Sequence, residues 1–299
     1  MKRPSKKSAP VIGIFAPSSA FTEDRYQEGL NVLRNQGFEI FEPEGLRESK
    51  GYLAGSDKHR VELFHRLLED EQVDIVWAAR GGYGLHRILP LIDAEKIAQA
   101  QKMIIGFSDI CALHALAQSQ ANLVSIHGPV ITQLSNLPTS DLEHLQLIIN
   151  QQWNDLIYSA TGETLVAGTA EGILVGGCLS VVGPLVGTPY LPPLDGSILL
   201  LEDVGEASYR IDRLLTHLKL AGIFERISGL GFGDFHACNP RNDSEPTIPE
   251  LLRDLVGNLN IPVLTGLPFG HGPRNRALPL GCLGRLNAEK KTLTLIPNE

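Results

Sequence analysis

Residues 11–127 alternate short apolar runs with segments of helical periodicity, and this alternation leaves few folds open to the first half of the chain. Val11–Phe15, Phe38–Phe41, Asp74–Ala79, Met103–Phe107 and Asn122–Ile126 read as strands. Glu23–Gln36 and Asp57–Glu71 read as helices; in the second, Val61, Phe64, Leu67 and Leu68 recur at the spacing of one face. Strands joined through helices pair in parallel, with helices covering both sheet faces. Such a sheet gathers its site at the C-terminal ends of its strands. Three of those ends carry unusual loops: Ala16-Pro17-Ser18-Ser19, Arg80-Gly81-Gly82-Tyr83-Gly84 and Ser108-Asp109. On one parallel sheet they converge on one edge.

The 299 residues suffice for one large or two medium domains, and 43% hydrophobic with 20% charged residues is ordinary for a globular protein. A net charge of −8 argues against a nucleic-acid-binding surface and fits a protein acting on small molecules. The basic start Met1–Ser8 resembles the opening of a signal peptide, but the apolar run Val11–Ala16 is too short for one. No run approaches the ~20 apolar residues of a membrane span. Cys111, Cys178, Cys238 and Cys282 are widely spaced, as expected of buried thiols in a reducing compartment. A cytoplasmic location is the expectation.

Leu134–Glu163 is polar and is the natural connection between domains, although Asp141–Ile149 within it has a helical pattern. Beyond it Gly and Pro become dense. Ser197–Leu201 reads as a buried strand ending at Glu202-Asp203, and a helix follows with Ile211, Leu214, Leu215 and Leu218 on one face. Leu230–Phe235 and Val263–Gly266 read as further strands. These elements suggest a smaller mixed α/β domain over residues 165–299.

Met103-Ile-Ile105 followed by Gly106-Phe107-Ser108-Asp109-Ile110 and the helix-like Cys111–Leu116 has the strand–turn–helix form of a nucleophile elbow. Such a turn lifts a hydroxyl clear of the backbone and aims helix N–H groups at an anion formed beside it. Ser108 is therefore either a nucleophile or simply a helix N-cap; Ile110 stands where the elbow motif has its second Gly. A serine hydroxyl needs a base. His59, His65, His86, His144 and His217 lie in charged helical segments and read as solvated or half-buried, and His114 on the elbow helix reads as structural. His127, His236 and His271 sit in loop settings, His271 between Gly270 and Gly272. An orienting carboxylate is offered by Glu202-Asp203 after the apolar Ile198–Leu201, where a buried acid needs a partner; Glu202 could equally cap the next helix or pair with Arg210 or Arg213. Arg80–Gly84 could cradle a phosphate, but it lacks the Lys-Ser/Thr of a phosphate loop, and supplying an oxyanion-hole N–H near Ser108 is the preferred reading. No metal-ligand spacing is evident.

Taken in order, Ala16-Pro17-Ser18-Ser19, Arg80–Gly84, Gly106-Phe-Ser108-Asp109, Leu201-Glu202-Asp203 with Tyr209–Arg213, and Gly270-His271 resemble the LD-carboxypeptidases, whose relatives include the microcin C self-immunity hydrolases. The resemblance spans nearly the whole chain. It implies a flavodoxin-like parallel-sheet N-terminal domain (1–135) carrying the nucleophile, a connection (136–164), and a smaller mixed α/β C-terminal domain (165–299) carrying a Glu and a His. The implied triad is Ser108, Glu202 and His271, with no cofactor, in a homodimer. The implied reaction is hydrolysis of the bond before the terminal D-alanine of murein tetrapeptides during peptidoglycan recycling. An immunity-type amidase acting on peptidyl or acyl-sulfamoyl nucleotides is the alternative within the family. A non-catalytic two-domain ligand-binding module is the alternative outside it.

Two further expectations complete the site. Backbone N–H groups of Gly81, Gly82 and Asp109 form the oxyanion hole, since the residue after an elbow nucleophile supplies one donor and a neighbouring loop the other. Arg80 and Tyr83 contact substrate. Arg80, Arg274 and Arg276 each offer a two-pronged grip on a terminal carboxylate, or else serve only as bridges within the protein.

Overall fold

β1 (Val11–Phe15), β2 (Glu39–Phe41), β3 (Ile75–Ala78), β4 (Met103–Gly106) and β5 (Ser125–His127) pair in parallel in the order β2-β1-β3-β4-β5, with Leu278–Leu280 added beside β5. That is the flavodoxin-like order, with its switch point between β1 and β3. Every residue of β3 and β4 is buried, as required of strands covered on both faces. The covering helices are amphipathic. Glu23–Asn35 buries Tyr26, Leu30 and Leu33, and Asp57–Glu69 buries Val61, Phe64, Leu67 and Leu68. The latter is capped by Ser56, whose side chain accepts from the His59 N–H.

The computed structural model describes residues 1–5, 10–153, 156–242 and 244–297, so part of the basic stretch Met1–Ser8 lies outside the described residues. The chain divides into two units, Met1–Gln151 with Ala277–Pro279, and Gln152–Arg276 with Leu280–Glu299. The division falls inside the segment expected to be the connection. Its helix, Thr139–Ile149, belongs to the first unit, and the next strand, Ile157–Ser159, to the second. The fifth strand starts three residues later than the sequence pattern suggests. Asn122 sits at φ +51, a left-handed conformation that Asn tolerates and a strand does not use.

The second unit is built on an eight-stranded mixed sheet. Its strands are β6 (Ile157–Ser159), β7 (Thr164–Val166), β8 (Thr169–Cys178), β9 (Ile198–Val204), β10 (Gly229–His236), β11 (Val263–Leu264), β13 (Leu283–Asn287) and β14 (Thr292–Leu295), Leu278–Leu280 being β12. The order is β6-β14-β13-β8-β9-β10-β11-β7. The central four, β8 to β11, run parallel. Helix Ser208–Leu220 lays Ile211, Leu215 and Leu218 on a core that includes Leu199, Leu201 and Phe232, while Leu214 is only half-buried. Helix Ile248–Val256 begins with a reciprocal cap between Thr247 and Glu250 and buries Leu251 and Leu252 in the same core.

Candidate active site

Ser108 stands at the end of β4 with φ +64, in the left-handed region that a residue with a side chain rarely occupies. Helix Cys111–Ser119 follows one short turn later. A Ser used only as an N-cap has extended backbone, so the positive φ favours the elbow reading. Such strain persists only where the surroundings hold it.

Here they do. The main chain of Gly81 lies against the hydroxyl: a Cβ at position 81 would come within 2.8 Å of Ser108 Cβ and 3.1 Å of its Oγ. Gly82, at φ +110, backs onto Ser19. The Ser19 N–H donates to Gly81 O (3.3 Å), and the Tyr83 N–H donates to Ser19 Oγ (3.2 Å). The expected convergence of the loops after β1, β3 and β4 is thus present. Asp109 lies in the first turn after β4, where N–H groups lack intrahelical acceptors.

Sequence reasoning used only the backbone of Asp109 and missed its side chain. The buried Oδ2 accepts from Ser18 Oγ (2.6 Å) and from the Leu85 N–H (2.8 Å), joining all three loops at one atom. Burial raises this carboxyl above its ordinary pKa of 3.8, and the two donors oppose the rise. The preceding Ser18 and the following helix start were visible in the sequence; that they meet one carboxylate was not.

His114 is structural, as expected. Its ring is fully buried between Ser125 Oγ (2.9 Å) and Gly106 O (2.8 Å), and burial lowers its pKa to about 3. His144 departs from expectation: it is buried, with Nε2 3.0 Å from Ala277 O, because the segment Ala277–Pro279 joins this unit. Arg80 is exposed and donates to Ala20 O (2.6 Å). Together with Thr22, Arg25 and Thr132 it lines a cavity of about 190 Å³, and Arg25 was not singled out from sequence. Tyr83 is exposed and lies 5.8 Å, ring to ring, from the exposed Tyr52.

In the second unit, Glu202 and Asp203 belong to β9 rather than following it. Strand alternation sends neighbouring side chains to opposite faces, and the two acids separate accordingly. Asp203 accepts from the Ser180 N–H (2.8 Å), Ser180 Oγ (3.0 Å) and its neighbour Val204 N–H (2.8 Å). Burial raises its pKa. Glu202 is completely buried, and its Oε2 lies 2.7 Å from Nδ1 of His271. Of the arginines offered to Glu202 by the sequence, Arg210 pairs with Glu206 instead. Gly270 makes the contact possible. At φ +116 it turns the chain, and a Cβ there would fall 2.7 Å from Glu202 Oε2. The Gly270 N–H donates to the side chain of buried Asn275 (3.2 Å), fixing the loop.

The other loop histidines offer less. His236 is exposed at the end of β10, and His127 is buried on β5 beside Phe107. Arg276 donates to Ile157 O (3.3 Å), the bridging use that sequence left open for it. All four cysteines are buried thiols, and among the described residues no cluster of His, Cys, Asp and Glu is arranged to hold a metal. No helix among them is long and apolar enough to cross a membrane.

The first unit thus presents an elbow serine at positive φ, and the second a buried Glu–His pair. The chain belongs to the LD-carboxypeptidase family: the N-terminal domain model matches residues 12–128 and the C-terminal domain model residues 171–286. It is 36% identical over 290 residues to a putative carboxypeptidase of Streptomyces coelicolor, covering 95% of this chain and 92% of that one. It is 32% identical to a probable murein peptide carboxypeptidase of Bacillus subtilis, covering 95% and 91%. Its fold matches that of MccF in complex with glutamyl sulfamoyl guanosine, with a TM-score of 0.89 over 100% of this chain and 98% of that one, at 23% identity.

Proposed function

We propose that the protein is a serine LD-carboxypeptidase that removes the terminal D-alanine of murein tetrapeptides. The observation that carries the reading is the fully buried Glu202 holding His271 by Nδ1 at 2.7 Å, beside a chain whose elbow serine is strained into position. In the reaction, Ser108 Oγ attacks the carbonyl before D-alanine and its proton passes to His271 Nε2. Glu202 fixes the tautomer and stabilises the imidazolium. The oxyanion is met by backbone N–H groups of Asp109 and the Gly81–Gly82 turn. His271 returns the proton to the departing amine, and water then releases the acyl group by the same steps.

Arg80 and Arg25 would hold the terminal carboxylate, which makes the enzyme an exopeptidase. Tyr83 would lie along the peptide. The enzyme is proposed to act in the cytoplasm as a homodimer during peptidoglycan recycling; fractionation and sedimentation check those points.

Mass spectrometry of the protein with a muropeptide tetrapeptide tests the reaction, and released D-alanine is expected. A tetrapeptide left intact while an acyl-sulfamoyl nucleotide is cut would identify an immunity-type amidase. Failure of a fluorophosphonate probe to label Ser108 would identify a binding module. Cleavage of the C-terminal amide or the L-alanine epimer at the same rate would overturn carboxylate capture and D-selectivity.

A further inference from the structure

We propose that a cavity beside the His271 loop is a binding site for a primary ammonium group on a short aliphatic stem. The cavity lies within the second unit, at the C-terminal ends of β10 and β11, and has a volume of about 390 Å³. That is the size of a small-ligand site. Its walls are largely apolar, with Leu165, Phe232, Phe235, Ile248 and Leu252 among them, and Asp234 on β10 contributes a carboxylate.

Asp234 is tied to the loop that carries His271. Its N–H donates to Phe269 O (3.0 Å), and a Cβ at Gly272 would fall 1.5 Å from its Oδ2. The carboxylate therefore lies against the main chain of the residue directly after His271. Among the described residues no side-chain hydrogen bond or ion pair is made by this carboxylate. The nearest cation on the cavity helix, Arg253, is committed to Glu163 through two hydrogen bonds of 2.6 and 3.0 Å.

Acids outside the cavity bear on its wall. The Cys238 thiol in the cavity wall is pushed up to about 11, by burial first and also by the charges of Asp203, Glu206 and Glu202. An anionic ligand would be repelled, and a neutral alkyl group would leave the carboxylate desolvated without a partner. A cation with an apolar stem satisfies the walls and the acid together. With Oδ2 packed on the main chain of Gly272, the acid is better met by the single compact charge of an ammonium than by a guanidinium, whose grip uses both oxygens.

The same chemistry could come from a free amine or from a side chain of the peptide substrate, and the latter source rests on the function proposed above. Binding of n-pentylammonium to the whole protein, followed by calorimetry, tests the site without requiring turnover. The expected result is at least about ten-fold tighter binding than 1-pentanol or pentanoate, and a loss of about ten-fold or more in Asp234→Asn. Equal binding of ammonium and alcohol by the unaltered protein would overturn the proposal whether or not the variant folds. So would binding that Asp234→Asn leaves unchanged.

Two peptides then separate the sources: tetrapeptides with lysine or norleucine before the terminal D-alanine. If the site takes the substrate's side chain, the lysine peptide has the higher kcat/KM, and pentylammonium competes with it. If pentylammonium binds while both peptides are cut equally, the site takes a free amine. Binding of pentylammonium with neither peptide cut would overturn the peptidase reading and leave the site standing.

Discussion

In the first unit the elbow hydroxyl is placed by main chain. Ser108 takes φ +64 at the end of a buried strand, with a glycine backbone packed on its hydroxyl and one buried carboxylate gathering the adjoining loops. In the second unit the imidazole is placed by a side chain: a wholly buried Glu202 on β9 reaches His271 across a glycine turn. Main-chain placement tolerates almost no added atoms near Gly81. Side-chain placement depends instead on the hydrogen bond to Nδ1 and on the bare turn at Gly270 that admits it. The two regions should therefore fail differently when altered.

The largest expected effect tests whether they act as one site. Ser108→Ala and His271→Ala should each lower kcat by several orders of magnitude, and the double variant should lose little more than either, because members of a triad fail as a unit. Multiplicative losses in the double variant would show that the two regions work independently. Ser108→Ala should change stability by no more than about 1 kcal/mol, measured by denaturant unfolding.

Glu202→Gln comes next. It preserves shape but replaces the acceptor of the His271 Nδ1 proton, and a loss in kcat of up to about 10⁴ is expected, smaller than that of His271→Ala. A Glu202→Gln variant as damaged as His271→Ala would mean that Glu202 does more than orient the ring.

Gly81→Ala should cost about 10²–10³ in kcat, the loss typical of one oxyanion donor, since a methyl 2.8 Å from Ser108 Cβ must displace the loop or the serine. A fully active Gly81→Ala enzyme would remove this loop from the catalytic arrangement.

The smallest effects are on stability, and they have opposite signs at two buried groups that follow the elbow serine. Burial holds His114 neutral with a pKa lowered to about 3, against an ordinary 6.5. Its contribution is present above pH 6.5 and is lost as pH falls below it. Asp109 is raised above 3.8, so its contribution is complete below that pH and is lost as pH rises through the folded value. Asp109→Asn can still accept from Ser18 and Leu85 through its amide oxygen. It should melt above the parent at pH 7, by an amount that shrinks as the pH falls toward 4. Calorimetric melts of Asp109→Asn and His114→Gln across pH 4–8 check both signs.

Much of the first unit was legible because a doubly wound sheet writes itself as alternating patterns. Buried strands such as Met103–Gly106 are continuously apolar, and helix faces repeat at three and four residues. The loops after β1, β3 and β4 could be predicted to share one edge because parallel strands all end on the same side of the sheet. His144 was misread because nothing near it in sequence announces that Ala277–Pro279 returns to this unit. Glu202 and Asp203 were seen together as acids beyond a strand, but only pairing with β8 and β10 shows that both lie within β9 and point apart.

The sequence by itself determined the periodicities, the order of strands and helices, and a turn at Gly106–Ser108 that only an elbow or an N-cap could use. These are local properties, set by steric limits on φ and ψ and by the burial of apolar side chains. Tertiary structure decided between readings that were locally equivalent. It set Ser108 at positive φ, gave His271 rather than His127 or His236 to Glu202, sent Asp203 to Ser180, and brought Asp109 to Ser18 and Leu85. Apart from the conformation of Ser108, each of those outcomes is a hydrogen bond between residues well separated in the chain. Their energies depend on distance and burial in the folded state, which no neighbouring residue encodes.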